Sequence, residues 1–136
     1  MALSQGKRPV FEGFQVDSIT LSPTATQGTR NSIPAHAVSV RLAANVTDVN
    51  DFTVLPSLAS VPTGHKITII AGAANSELRT PASSTELINA QDCDGTKEAL
   101  LTATNIYTVT KIDNTLGWSL VGHTAIGAFQ TAIIPD

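Results

Sequence analysis

Cysteine is nearly absent from this 136-residue chain: Cys93 is the only one. An intramolecular disulfide is therefore impossible, and a small disulfide-stapled fold is excluded. Charge is scarce too, at 14% of residues against the ~25% usual for a globular domain. Such a surface is either solvated by its many Ser and Thr hydroxyls or covered by a partner. The aromatics are four Phe, Trp118 and Tyr107. That is a poor supply for the stacked rings on which sugar- and single-strand-binding modules hold their ligands. No run approaches the ~18 apolar residues of a membrane helix. Residues 1–10, MALSQGKRPV, lack the apolar core of a signal peptide. The expectation is a soluble protein made in a cytoplasm, with no membrane partner. The Asn45-Val46-Thr47 sequon then reads as chance. A net charge of −3 gives no reason to expect nucleic acid.

What is present is a period of two. In AVSVRLAANV, residues 37–46, Val38, Val40, Leu42, Ala44 and Val46 fall on one face and Ser39, Arg41, Ala43 and Asn45 on the other. That alternation predicts a half-buried strand. HKITIIA (65–71), IYTVTKI (106–112) and GWSLVG (117–122) read the same way. Further strands are expected at 14–21, 52–55, 77–80, 98–101 and 128–134. The one helix candidate, 96–103, runs directly into threonines and is read as a strand instead. Turn signals separate the runs: Ser22-Pro23, Asn50-Asp51, Pro62-Thr63-Gly64, Ala73-Ala74-Asn75, Asp94-Gly95 and Asn114-Thr115. Many short strands at this spacing predict one all-β domain, a β-sandwich or a jelly-roll-like barrel.

The charge divides unevenly. Residues 1–30 carry Lys7, Arg8 and Arg30 against Glu12 and Asp17, whereas the remainder carries five basic residues against nine acidic ones. Residues 1–30 are accordingly read as an N-terminal arm, with 22–30 a loop or extended segment. Residues 31–136 are read as the β body. The apolar end of the chain, HTAIGAFQTAIIPD (123–136), would be an aggregation-prone edge if left bare. It must close the sheet or pack on a neighbouring subunit.

QDCDGTKE, residues 91–98, looks most like a chemical site. An EF-hand loop needs alternating oxygen ligands and a glutamate six residues past its glycine. Here Glu98 follows Gly95 by three, too soon to wrap calcium. Asp-Gly is instead a tight-turn signal, since Gly takes positive φ and Asp bonds its own backbone. Cys93 has no nucleophile motif around it and is expected as a small buried hydrophobe. His36, His65 and His123 lack metal-ligand spacing and are expected at strand ends. Phosphate-binding, dinucleotide-binding and nucleophile-elbow motifs are all missing. No cofactor, metal or catalytic residue is expected. Trp118, in a glycine-flanked strand, is expected in the core.

Taken together, residues 52–122 run FTVLPSLASVPTGHKITIIAG, ELRTPASSTELIN, DCDGTKEALL, YTVTKI and GWSLVG. This order is a strand ending in Leu-Pro, a Val-Pro-x-Gly turn, an Ile-Thr-Ile strand, a Thr-Pro-Ala-Ser stretch, an Ile-Asn turn and a Gly-Trp strand. It resembles a β-rich module of tailed-bacteriophage virion proteins, found in capsid decoration (cement) proteins and in head and tail fibres. The upstream IPAHAVSVRL (33–42) resembles the strand preceding that module. The resemblance implies a homotrimer on the outer capsid surface of the virion that binds and stabilises the lattice of the major capsid protein, with no catalysis. Lys7, Arg8, Phe11 and Arg30 would then meet the capsid. Phe129, Ile133 and Ile134 would meet neighbouring subunits. The alternative within the resemblance is a head-fibre or tail-fibre component that binds host surface glycans. An enzyme on a β-barrel is the third and least supported reading.

Overall fold

The computed structural model describes residues 18–43, 48–95 and 97–136. Lys7, Arg8 and Phe11 lie outside them. The described chain is a two-sheet β-sandwich of ten strands: β1 (Ser18–Leu21), β2 (Ser39–Leu42), β3 (Phe52–Val54), β4 (Lys66–Ile70), β5 (Ser76–Arg79), β6 (Leu87–Ile88), β7 (Gln91–Asp92), β8 (Ala99–Leu101), β9 (Ile106–Asp113) and β10 (Gly117–His123). The larger sheet runs β1-β2-β4-β9-β10-β6-β7 and the smaller one β3-β5-β8. From β2 to β9 the chain passes repeatedly between the sheets. Four of the eight strand pairings are parallel in consequence: β1 with β2, β2 with β4, β3 with β5 and β6 with β10. Parallel neighbours need long connections, and here the opposite sheet supplies them.

Alternation decides which side faces the core. Ile67 and Ile69 of β4, Tyr107 and Val109 of β9, and Trp118 and Leu120 of β10 point inward and are buried. Leu78, Ala99 and Leu101 of the smaller sheet meet them, and Cys93 and Ile88 complete the layer. Trp118 is fully buried, and so is Cys93. The period-two signal predicted the faces of β4, β9 and β10 because each of these strands turns one side to the core.

Three expectations need correction. Residues 18–30 belong to the body rather than to an arm. β1 pairs in parallel with β2 over four residues. The following loop winds around the buried amide of Asn31, whose Nδ2 donates to the carbonyls of Thr26 (3.2 Å) and Phe52 (2.9 Å). Its Oδ1 accepts from the Gly28 N–H at 2.8 Å. Residues 128–134 are no strand. The edge of β10 is already partly taken by β6, where Trp118 faces Ile88. Only the end of β10 remains, so Phe129 makes a single bridge to His123 and the Gln130 N–H donates to Gly122 O at 2.9 Å. Val38 lies outside β2 and is exposed, because the strand begins at Ser39.

The terminal segment does close the sandwich. Asn89 anchors it to the larger sheet through a bond from Nδ2 to Ile133 O at 2.9 Å. Asp136 and Glu98 exchange backbone hydrogen bonds of 3.0 and 3.2 Å beside β8. Ile133 packs on the core and Pro135 is buried, while Phe129 and Ile134 are 90% and 77% exposed.

Candidate docking face

The side of the larger sheet turned away from the core is ordered in rows, because residues directly opposite on paired strands share a face. One row is Thr20, Arg41, Ile70, Ile106, His123 and Phe129. The next is Ser18, Ser39, Thr68, Thr108 and Val121, and the third is Lys66, Thr110 and Ser119. Seven of these fourteen residues are Ser or Thr, two are basic and none is acidic. An open sheet usually keeps charged and polar residues on its wet side. This one carries apolar Ile70, Ile106, Val121 and Phe129 there, with Val121 55% exposed. The acids of the same sheet, Asp92 and Asp113, lie past its third row on β7 and at the end of β9.

The C-terminal segment extends this face. After β10 the chain turns through Gly127, at φ +83°, and Ala128 O accepts from the Thr124 N–H at 2.9 Å. The turn leaves Ile126 92% exposed, three residues before Phe129. Arg30 is exposed on the loop that follows β1, so it sits near the β1 border of the sheet. Of the capsid- and subunit-contact residues that the resemblance implies, Phe129 alone falls within the rows.

The QDCDGTKE run is divided among structural tasks. Gln91–Asp92 is β7, Cys93 enters the core, and Asp94-Gly95 bends the chain with Gly95 at φ +117°. Lys97 Nζ donates to Gln91 Oε1 at 2.7 Å across the bend. Burial pushes the Cys93 thiol up to about 11, the wrong direction for a nucleophile. Glu98 pairs with Arg79 at 2.8 Å, and Arg79 also holds Glu77 at 2.8 Å while lying over the Phe52 ring. Desolvation raises the Glu98 carboxyl above its ordinary range, and Glu77 adds to the rise.

The histidines are apart. His65 precedes β4, whereas His123 stands in the row of Ile70 at the other end of that strand. His36 lies in the turn before β2 and not at a strand end. Among the described residues no group of three His, Cys, Asp or Glu side chains is placed to hold a metal ion. Among the same residues no helix is long and apolar enough to cross a membrane.

Two polar side chains that sequence reasoning passed over organise the interior. Lys111 is only 5% exposed, and its Nζ donates to Leu58 O (2.6 Å) and Val61 O (2.8 Å) around the 3-10 turn Leu58–Ser60. The Leu58 N–H donates to Glu86 Oε1 at 2.9 Å. Strand parity does put Lys111 on the face of Tyr107 and Val109, so its position was readable and its charge masked it. No protein-family model matches the chain, and no curated protein matches its sequence.

Proposed function

We propose that the chain is a structural protein of a phage particle: a decoration protein that binds the outer surface of the major capsid protein lattice and stabilises it, as a homotrimer. The observation that carries this reading is the three acid-free rows on the outer face of the larger sheet, which set apolar Ile70, Ile106, Val121 and the exposed Phe129 among Ser and Thr. A face of this composition gains free energy when it is covered, at roughly 25 cal/mol for each Å² of apolar surface removed from water. A shell lattice offers many equivalent flat surfaces to cover it. The order of motifs along residues 52–122 supplies the virion context, and the low overall charge is in keeping with a protein that works while partly enclosed.

Immunogold electron microscopy on particles of the virus that encodes the chain tests the proposal. Label distributed over the head shell is the expected result. Label confined to the tail or fibres, or absent from particles, would overturn it.

A further inference from the structure

We infer that the outer face of the seven-stranded sheet is the surface that meets the shell, and that its partner there is a protein surface presenting carboxylates around an apolar socket. The inference rests on the decoration reading and adds to it which face docks and what chemistry receives it.

Charge complementarity selects the partner. The two charged groups in the rows, Arg41 and Lys66, are both cationic and both exposed. No carboxylate shares the rows with them. A cationic partner surface would be repelled, and a wholly apolar one would strip two charges of water without return. Carboxylates opposite Arg41 and Lys66 satisfy both. Across the sheet from Arg41, the same row ends in His123 and Phe129. Phe129 is almost wholly exposed opposite His123, two residues along β10 from Val121, so this end supplies the apolar anchor. Large aromatic anchors in desolvated sockets carry a disproportionate share of interface energy. The Ser and Thr between the two ends can exchange hydrogen bonds with any polar surface, and they fix no partner by themselves.

A second copy of this chain is the competing occupant. Two such sets of rows laid on each other would oppose Arg41 and Lys66 to residues without acids, which disfavours it.

The test is co-sedimentation of the purified full chain with shells of the encoding virus from which this protein has been removed. The variants are Arg41→Glu, Lys66→Glu, Phe129→Ser and Val121→Asp, with Lys97→Glu, in the bend beyond the sheet, as control. All five positions are exposed, and circular dichroism with thermal melting verifies that each variant folds. Arg41→Glu and Phe129→Ser should each weaken shell binding at least about tenfold, and Lys97→Glu should bind like the wild type. Wild-type binding should fall as salt is raised, and less steeply in Arg41→Glu. If Arg41→Glu does not fold, Lys66→Glu tests the other cation of the face, and if Phe129→Ser does not fold, Val121→Asp tests the apolar anchor. Wild-type binding that all folded face variants retain would overturn the inference and leave decoration standing. Face variants that change the oligomeric state of the free protein but not its shell binding would overturn it in favour of a second copy. No binding by the wild type would remove the decoration reading itself.

Discussion

Asn89 does the work of a strand residue with its side chain. Its Oδ1 accepts from the Leu120 N–H at 2.9 Å, and its Nδ2 donates to Leu120 O at 3.0 Å and to Ile133 O at 2.9 Å. It thus continues the β6 edge of β10 and ties down the C-terminal segment. Its backbone also turns the β6–β7 hairpin, with Asn89 at φ +48° and Ala90 at φ +66°, the pattern of a two-residue type I′ turn. Asn89→Ala should cost about 2–4 kcal/mol, since it removes three partly buried hydrogen bonds and the residue type that tolerates positive φ. Chemical denaturation gives the loss, and hydrogen exchange should show the Gln130 amide opening first. Trp118→Ala should cost about 3–5 kcal/mol, the range for emptying a large buried aromatic site. Equal melting temperatures would contradict that core position. The Ile-Asn turn at Asn89 was legible in the sequence, but its side-chain bonds were not, because they reach Leu120 and Ile133, far along the chain. Trp118 was easy, because strand parity and flanking glycines both placed it.

Among the elements, the long strands were legible and the connections were not. β4, β9 and β10 alternate over five or more residues, so burial of one face writes itself into the sequence. β6 and β7 have two residues each, too few to alternate. Parallel pairing leaves no local signature, because it depends on where distant crossovers lie. The turn Leu58–Ser60 is such a crossover, and Lys111 holds it to β9. Lys111→Met keeps the bulk but leaves the carbonyls of Leu58 and Val61 without their charged donor. About 2–4 kcal/mol should be lost, with an unchanged denaturant slope if the fold persists.

The acid beside this crossover gives the protein a pH dependence. Desolvation raises the Glu86 carboxyl above its ordinary value of 4.5, although the Leu58 N–H and Lys111 both pull it down. A raised acid binds its proton more tightly in the folded state. Its contribution is fully present below the unfolded value and is lost as pH rises through the folded one. Glu98 is raised as well and acts with the same sign. Asp113 has the opposite sign: the N–H groups of Leu116 and Thr115 hold it low, so its contribution fades only below its ordinary 3.8. Stability should therefore increase as pH falls from 7 towards 4.5. Glu86→Gln should flatten part of that slope, as followed by denaturant midpoints across the range.

At the scale of the molecule, the size of the docking face bears on how it would be used. The rows cross five strands and reach Phe129. With strands ~4.8 Å apart and every second residue, ~6.8 Å along the strand, on this face, the fourteen residues cover on the order of 450 Å². A standard interface covers about 800 Å² on each partner. One copy's rows fall short, so firm attachment requires the Ile126–Phe129 turn, further contacts, or several linked copies binding at once. The homotrimer of the proposal would supply the last. The face itself was present in the sequence as the polar half of each alternation. Its lack of acids became visible only when pairing register aligned residues from β1, β2, β4, β9 and β10. The contribution of Phe129 emerged in the same way, through one bridge to His123.

The most direct measurement is cryo-electron microscopy of the virus head at a resolution that traces strands. The expected result is density for this chain outside the shell, with Arg41, Lys66 and Phe129 turned towards the capsid surface. Density with the same face open to solvent, or no density on the head, would contradict it.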